Sequence, residues 1–352
     1  MAVTLINITT FLELYQDRVP VIDVRSPSEF LHASIPSAHS IPLFQDDERA
    51  KIGTAYKQIN KQTAIKIGLD FFGPNMRKMV EAVEKIAANR NATRPNEVIV
   101  HCWRGGMRSG AVVWLLDFYG FKVYQLIGGY KAYRNWVLEQ FNIQYNFKII
   151  GGYTGSGKTA LLHQLQHLGE NTIDLEGLAH HKGSTFGALG QAEQPSTEMF
   201  ENELAMILFK FQTQPNQTIW IEDESQRIGH VNLPSALWQQ LRKAKIYFID
   251  IPFQERLNYI IKDYGQFSKE SLINAILRIQ KRLGGLDTKQ AINFLLEDDV
   301  KSCFSLLLQY YDKGYIKALQ KRDNWQDLTM TFEMPTVDSN RNAAILKEKN
   351  QI

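Results

Sequence analysis

The chain has 352 residues, of which 44% are hydrophobic and 22% are charged. A single core rarely grows beyond roughly 250 residues, so we expect two domains, and the composition excludes an intrinsically disordered chain. The net charge of +3 is too small a surplus to establish a polyanionic partner. No apolar run approaches the ~20 residues that span a bilayer, so we expect no membrane association.

The chain has two cysteines, Cys102 and Cys303, which lie far apart in the sequence. They can build neither a disulfide framework nor a four-thiolate zinc site. The first residues also lack a basic region followed by an apolar stretch, so no secretion signal is indicated. We therefore expect a cytoplasmic protein.

Short β-branched runs alternate with helical patterns in the first part of the chain. Strands are predicted within residues 19–25, 97–102 and 122–126, with a helix ending at Gly120 between the last two and another helix at 128–141. This βαβ pattern predicts an α/β domain over residues 10–141.

A second α/β domain is predicted over residues 145–335. A strand beginning at residue 146 leads into a glycine-rich loop, and further strands are predicted at 172–177, 218–225 and 245–251. From Pro252 onward the pattern is almost entirely helical, which predicts a helical C-terminal layer. Residues 336–352 are polar and are predicted to form a frayed tail.

Cys102 lies at a predicted strand-to-helix turn, followed by the sequence Trp-Arg-Gly-Gly-Met-Arg. The backbone N–H groups of such a turn and the positive end of the helix favour ionisation of a thiol. Gly105 and Gly106 allow the backbone to curl, while Arg104 and Arg108 supply charge for an anion. We predict a reactive thiol beside a cradle for a tetrahedral anion. Its predicted catalytic residues are Cys102, Arg104 and Arg108, and its predicted substrate-binding residues are Trp103, Gly105 and Gly106.

Three aromatic residues near this loop and the second cysteine of the chain carry separate predictions. Trp103, Tyr130 and Tyr133 are available to stack on an extruded base, although core packing is equally open for each. Cys303 lies among apolar residues of an amphipathic helix and is predicted to belong to the core.

Residues 152–159 read Gly-Tyr-Thr-Gly-Ser-Gly-Lys-Thr between a predicted strand and a predicted helix, which is the pattern of a P-loop. The loop amides of a P-loop cradle a diphosphate, its lysine neutralises the charge, and its threonine can hold Mg²⁺. The predicted phosphate-binding residues are Gly152, Gly155, Ser156, Gly157, Lys158 and Thr159.

Two other segments of the second domain carry candidate residues. Glu222 and Asp223 end an apolar strand where a metal-binding carboxylate is expected, and with Thr159 they form the predicted Mg²⁺ site; a solvated acidic turn is the alternative. The loop that contains His181, Lys182 and Ser184 is cationic and rich in glycine, so it could contact substrate or simply connect two elements.

The first domain resembles the rhodanese family, in which the loop cysteine carries sulfur as a persulfide. The resemblance rests on Asp23-Val24-Arg25, on Glu29-Phe30, on residues 35–38 and on the cysteine loop. The loop is Cys-x5-Arg, one residue longer than the common sulfurtransferase form, and so makes a larger cradle. Cys-x5-Arg is also the signature of cysteine phosphatases, but those enzymes need a general acid that the sequence does not place.

The order of the motifs is more specific than either motif. A rhodanese-like domain, Gly-Gly-Tyr-Lys-Ala-Tyr-Arg at 128–134 and a P-loop domain together resemble the tRNA 2-selenouridine synthase family, with further matches at 47–49, 53–57 and 181–187. The resemblance spans roughly residues 10–320.

This resemblance implies a transferase that converts 2-thiouridine at the wobble position of tRNA to 2-selenouridine. Geranyl diphosphate would alkylate the sulfur, and selenium from selenophosphate would then replace it, with a selanyl-cysteine intermediate at Cys102 and no redox cofactor. His181, Lys182, Ser184 and Arg227 would contribute to substrate binding.

Two other functions remain open at this point. One is an ATP-dependent tRNA sulfurtransferase with a persulfide on Cys102. The other is a nucleotide-responsive, tRNA-binding regulator whose rhodanese-like module is not catalytic.

Overall fold

The computed structural model describes residues 3–88, 94–212 and 218–350. The chain divides into two compact units: unit 1 comprises Met1–Gln140 and Glu201–Met206, and unit 2 comprises Phe141–Phe200 and Ile207–Ile352. Each unit contains a parallel sheet flanked by helices, which confirms the predicted α/β class.

The sheet of unit 1 has five parallel strands in the order β1-β5-β4-β2-β3. The strands are β1 (Thr4–Ile6), β2 (Val21–Asp23), β3 (His39–Ser40), β4 (Glu97–His101) and β5 (Lys122–Leu126). The helices are α1 (Ile8–Gln16), α2 (Pro27–His32), α3 (Asp46–Gln58), α4 (Lys61–Ala88), α5 (Met107–Tyr119) and α6 (Gly129–Gln140). Val98, Ile99 and Val100 of β4 are wholly buried, because helices cover both faces of a parallel sheet. Helix α5 ends at Gly120, as predicted, in a left-handed conformation.

The main sheet of unit 2 is also parallel, in the order β12-β11-β6-β8-β7. The strands of this unit are β6 (Asn146–Gly152), β7 (Asn171–Ile173), β8 (Thr218–Glu222), the hairpin strands β9 (Arg227–Ile228) and β10 (Val231–Asn232), β11 (Lys245–Asp250) and β12 (Thr329–Glu333). The helices are α7 (Lys158–His167), α8 (Leu175–Ala179), α9 (Thr197–Gln212), α10 (Ser235–Lys243), α11 (Phe253–Tyr264), α12 (Lys269–Leu283), α13 (Gly285–Leu296), α14 (Val300–Leu319), α15 (Trp325–Leu328) and α16 (Ser339–Asn350).

Helices α11 to α14 form the predicted helical layer around an apolar cluster of their own. Leu257 of α11, Ile276 of α12, Leu295 of α13 and Leu308 of α14 are buried in it. Cys303 is also wholly buried there, which confirms its predicted place in the core.

The C-terminal segment differs from the prediction in two ways. Strand β12 adds to the sheet beside β11, although the pattern after Pro252 predicted helices almost throughout. The predicted frayed tail is wrong, because α16 packs on α7 and buries Ala343 and Leu346 completely. Few of the residues of β12 and α16 are buried, so hydrophobic periodicity is weak in both and tertiary packing decides their structure.

The carboxyl ends of parallel strands meet at one edge of a sheet, which is where α/β folds bind ligands. Cys102 follows β4 at this edge in unit 1, and the P-loop follows β6 at the corresponding edge in unit 2. In the described ranges, no helix is both long enough and apolar enough to cross a membrane.

Candidate functional sites

The Cys102 thiol lies between the end of β4 and the first turn of α5, and only 3% of the residue is exposed. Its Sγ atom is 3.3 Å from the hydroxyl oxygen of Ser109. Burial alone would raise the pKa of Cys102, but hydrogen bonds from the Ser109 hydroxyl and from the N–H groups of Ser109, Gly106 and Arg104 outweigh it and hold the pKa below its usual value. The loop therefore stabilises a thiolate.

The backbone of the cysteine loop is fastened to the start of α6. The N–H of Tyr130 donates to the carbonyl of Cys102 at 2.8 Å, and the N–H of Lys131 donates to the carbonyl of Trp103 at 3.0 Å. Gly105 has a φ of +64°, and a Cβ atom there would lie 2.6 Å from the Leu126 carbonyl oxygen. Glycine is required at this position because both the conformation and the space exclude a side chain.

The structure separates the two arginines that were predicted to bind an anion. The guanidinium of Arg108 forms an ion pair with Glu29 at 2.7 Å, and Glu29 also pairs with Arg49 at 2.8 Å. Burial opposes ionisation of Glu29, but Arg108 and Arg49 outweigh it and hold the pKa of Glu29 below its usual value. Arg104 is exposed at the loop. Arg104 is thus accessible from solvent, while Arg108 is held in place by Glu29.

Of the three aromatic residues near the loop, two are buried and one is exposed. Tyr130 and Tyr133 are wholly buried, so the core-packing alternative holds for both and neither is available to stack on a base. Tyr130 instead packs under the guanidinium of Arg25, whose carbon lies 3.8 Å from the ring centre. Trp103 is 38% exposed and remains accessible.

In unit 2, the P-loop turns from β6 into α7 with Gly157 in the left-handed conformation, at a φ of +71°. The Nζ atom of Lys158 donates to the carbonyl of Gly152 at 3.2 Å. The hydroxyl of Ser156 is buried and has no hydrogen-bond partner among the described residues. A buried polar atom without a partner marks a place where a ligand supplies the missing bond, which fits a diphosphate in this loop.

Side chains of helices α11 and α14 form hydrogen bonds with the backbone of the P-loop. The guanidinium of Arg256 donates to the Thr154 carbonyl at 3.0 Å and to both carboxylate oxygens of Asp312, at 2.9 and 2.8 Å. The hydroxyl of Tyr315 accepts from the Gly152 N–H at 3.2 Å. Sequence reasoning missed these residues, because they lie about one hundred positions or more from the loop.

The predicted metal ligands are only partly brought together. The Thr159 hydroxyl lies 3.3 Å from a carboxylate oxygen of Glu222 and 3.0 Å from one of Glu176. Asp223 does not join them, because it forms an ion pair with Arg322 and accepts from the Tyr315 hydroxyl at 2.7 Å. Of the predicted metal ligands, Thr159 and Glu222 thus lie together and Asp223 lies apart from them, while Glu176 is the second carboxylate beside Thr159.

Burial raises the pKa of Glu222 well above its usual value, and the neighbouring carboxylates of Glu176 and Glu224 raise it further. In the described ranges, no group of three or more His, Cys, Asp or Glu side chains is arranged to hold a metal by itself. Mg²⁺ at a P-loop does not need such a group, since phosphate oxygens and water supply most of its ligands. The Thr159 hydroxyl and the Glu222 carboxylate are oxygen ligands of the type that Mg²⁺ prefers.

A cavity of about 1150 Å³ opens in front of the P-loop. Gly155, Lys158 and Thr159 line its phosphate-binding end. The rest of the lining comes mainly from α11, α14, the segment after α14 and the loop before α9. It includes the apolar and aromatic side chains of Tyr259, Ile260, Tyr264, Phe304, Leu307, Leu308 and Tyr311 and the charged side chains of Lys182, Asp263, Arg282, Lys321 and Arg322.

The loop at residues 180–187 contributes to this cavity in part. Lys182 and Ser184 line the cavity, and Lys182 forms an ion pair with Asp263 at 2.8 Å. His181 is buried and is not among the lining residues of the described ranges. Arg227 lies on the hairpin strand β9, where its Nε atom donates to the Gly229 carbonyl, and it is not among those lining residues either. Of the four substrate-binding residues predicted in unit 2, the structure thus places Lys182 and Ser184 at the cavity and His181 and Arg227 outside its lining.

Comparison with known proteins relates the whole chain to one family. Residues 145–333 match the model of the tRNA 2-selenouridine synthase AAA domain, and residues 9–135 match that of the rhodanese-like domain. A tRNA 2-selenouridine synthase of Hydrogenovibrio crunogenus is 32% identical and matches over 92% of this chain and 95% of its own length. Proteins of the same name from Aeromonas salmonicida and Sulfurovum sp. are 33% and 35% identical, over 87% and 88% of this chain and 89% and 92% of their own lengths. The chain therefore belongs to the tRNA 2-selenouridine synthase family.

Proposed function

We propose that the protein is a transferase that replaces the sulfur of 2-thiouridine, at the wobble position of tRNA, by selenium. Family membership supports the overall reaction. The observation that carries the two-step route is the cavity of unit 2, which is lined both by the P-loop and by a group of apolar and aromatic side chains of α11 and α14. That combination suits a prenyl diphosphate such as geranyl diphosphate, which has a charged head and an apolar chain.

In the first step, the sulfur of 2-thiouridine attacks C1 of geranyl diphosphate. A carbon–sulfur bond forms, the carbon–oxygen bond to the diphosphate breaks, and the diphosphate leaves with the electron pair. The P-loop amides and Lys158 stabilise the charge that develops on the departing group. The wall around Ile260, Leu307 and Leu308 receives the geranyl chain and excludes water from it.

Mg²⁺, when bound, would be held by the Thr159 hydroxyl and Glu222 and would help to neutralise the diphosphate. Burial raises the pKa of Glu222 and the neighbouring carboxylates of Glu176 and Glu224 raise it further; a bound cation would relieve the repulsion among these carboxylates.

In the second step, selenium from selenophosphate forms the new bond to C2 of the base, and the carbon–sulfur bond at C2 breaks. Geranyl thiol leaves, and hydrolysis of the selenium–phosphorus bond releases phosphate, so the step involves no net oxidation. We assign selenophosphate to the Cys102 loop, because backbone N–H groups converge there on the Cys102 sulfur and the exposed Arg104 belongs to the same loop.

The family resemblance also implies a selanyl-cysteine intermediate at Cys102. A sulfur–selenium bond at Cys102 would contain selenium two electrons more oxidised than the selenium of selenophosphate. Its formation with loss of phosphate would require an oxidant, so the proposed steps do not pass through it.

The decisive experiment is mass spectrometry of tRNA nucleosides after incubation with the full-length protein. With 2-thiouridine tRNA and geranyl diphosphate, S-geranyl-2-thiouridine is expected; addition of selenophosphate should convert it to 2-selenouridine. Parallel reactions with ATP in place of geranyl diphosphate test the sulfurtransferase alternative. Absence of both products in the presence of both co-substrates would overturn the proposal.

A further inference from the structure

A second cleft of about 710 Å³ lies in unit 2, at the end of the sheet opposite the P-loop. It is framed by the amino ends of β6 and β11, the segment 142–145 and the end of α10. Lys148 of β6 lines the cleft and lies four residues before Gly152, so at roughly 3.3 Å per residue the near edge of the cleft is about 13 Å from the start of the P-loop. The cleft is therefore a site separate from the cavity proposed for the prenyl diphosphate.

The charged side chains of this cleft all have one sign. Lys148, Lys243 and Lys245 line it, and no Asp or Glu of the described ranges does. Lys148 and Lys245 are register partners on neighbouring parallel strands, so their side chains leave the same face of the sheet side by side. Such a pair repels itself and is stabilised by a bound anion.

The electrostatic surroundings of Lys148 agree with this. Burial lowers the pKa of Lys148, the nearby carboxylate of Glu170 opposes this, and Lys245 has a smaller lowering effect. Its Nζ atom lies 5.2 Å from the ring centre of Trp220 and 5.4 Å from that of Tyr247. Lys148 is thus positioned at the base of the cleft, whereas Lys243 and Lys245 are exposed at its rim.

The backbone segment that borders the cleft is held in place by hydrogen bonds within the protein. The side-chain amide of Gln240 donates to the carbonyls of Phe141 and Ile143, at 3.1 and 2.9 Å, and its oxygen accepts from the Tyr145 N–H at 3.2 Å. These three bonds hold the segment 141–145 against α10. Asn142, Gln144, Asn146 and Gln239 add side-chain amides around the three cations.

We propose that this cleft binds the phosphodiester backbone of the RNA substrate; that the RNA is a tRNA rests on the proposed function. The lysines belong to three different places, β6, β11 and the end of α10, and two of them are exposed. Cations spread in this way follow a chain of phosphates, whereas a single phosphate is usually enclosed by converging N–H groups. Lysine and amide side chains contact phosphate and sugar without reading sequence, so the cleft holds the RNA while the base is recognised elsewhere.

The test measures binding of tRNA to the full-length protein over a range of salt concentrations, with no co-substrate present. The double variant Lys243→Gln, Lys245→Gln is compared with the wild type and with a control, Lys301→Gln, Lys313→Gln, which loses the same charge from exposed positions of α14. The cleft variant should bind tRNA on the order of 10-fold more weakly, and its slope of log affinity against log salt should decrease by about 1.4 to 1.8. The control should show the wild-type slope.

Kinetics add a second readout in a protein that geranylates tRNA. The KM for tRNA should rise in the cleft variant, with kcat at saturating tRNA and the KM for geranyl diphosphate unchanged. Wild-type affinity and wild-type salt slope in a folded cleft variant would overturn the proposal. Inorganic phosphate that binds to the wild type but not to the cleft variant, while both proteins bind tRNA equally well, would show a site for small anions and would overturn the proposal too. Because binding needs no turnover, failure of geranylation would count against the proposed function and leave this test intact.

Discussion

The two cysteines of the chain show how strongly one residue depends on its surroundings. Burial raises the pKa of Cys303 to about 12, because this thiol lies in an apolar helical cluster and Asp299 adds to the effect. Cys102 is almost as buried, yet its pKa is lowered, because one hydroxyl and three backbone N–H groups donate to the sulfur. The difference comes from the strand-to-helix turn, which directs amide hydrogens toward its first residue.

The first prediction concerns the removal of the Cys102 thiol. Cys102→Ala should accumulate S-geranyl-2-thiouridine and form less 2-selenouridine, because alkylation uses the sulfur of the tRNA as its nucleophile whereas selenophosphate is assigned to the Cys102 loop. The measurement is nucleoside mass spectrometry with both co-substrates present. Cys303→Ala is the matched control and should still complete both steps. Loss of geranylation in a folded Cys102→Ala protein would contradict separate roles for the two sites.

The second prediction concerns pH. The folded loop lowers the pKa of Cys102, so the thiolate persists to lower pH than in an unfolded chain. Ser109→Ala removes one donor, so the pKa of Cys102 should rise. On acidification, the variant should therefore lose its thiolate, and with it selenation activity, at a higher pH than the wild type does. Titration of the thiolate by its ultraviolet absorbance, with Cys102→Ala as the blank, measures the shift. An unchanged midpoint would show that the backbone donors suffice without the hydroxyl.

At the scale of elements, α11 and α14 do more than cover the sheet of unit 2. Arg256 is 3% exposed and joins the P-loop carbonyl of Thr154 to Asp312 of α14. Its guanidinium also lies 4.7 Å from the ring centre of Tyr153, in the same loop. The helical layer thus helps to set the conformation of the P-loop.

The third prediction follows from this connection. Asp312→Asn leaves the buried guanidinium of Arg256 without its counter-charge, which should lower the free energy of unfolding by about 3 kcal/mol. It should also weaken diphosphate binding, because Arg256 no longer holds the Thr154 carbonyl firmly. Urea unfolding and calorimetric titration with diphosphate measure the two effects. Asp298→Asn, which alters the exposed pair with Lys269, should change neither by much. Normal diphosphate affinity in a destabilised Asp312→Asn protein would limit the pair to a structural role.

At the scale of the whole molecule, the chain combines two α/β units with different chemistry at equivalent edges of their sheets. Unit 1 presents the Cys102 thiol, whose pKa is lowered, and unit 2 presents the P-loop, to which we have assigned the diphosphate. A reaction with two successive substitutions at one base can use each unit for one of them.

The fourth prediction tests this division of labour. Lys158→Ala removes a charge that opposes the developing charge of the diphosphate, so geranylation should fall on the order of 100- to 1,000-fold. Supplying that variant with tRNA that already contains S-geranyl-2-thiouridine should restore selenation to the wild-type rate. Equal losses in both assays would mean that Lys158 is not confined to the alkylation step.

The local motifs were readable from the sequence because each depends on a short, continuous segment. The strand, the glycines and the Lys-Thr pair of the P-loop are adjacent in the chain, and so are Cys102 and the glycines that shape its loop. The α/β class follows for the same reason, since β-branched runs and helical periodicity are local properties. The motifs for Cys102 and Lys158 are sufficient to identify the family that the comparisons show.

The partners of these motifs were decided only by the tertiary structure. Glu222 and Asp223 are neighbours in sequence, but adjacent side chains at a strand end point to opposite faces, so one meets Thr159 and the other Arg322. Glu29 reaches Arg108, and Asp312 reaches Arg256, across separations that no local pattern encodes. By itself the sequence determined which backbone segments make the two loops, because those depend on adjacent residues. Which side chains surround the loops depends on how distant elements pack, and that only the folded chain decides.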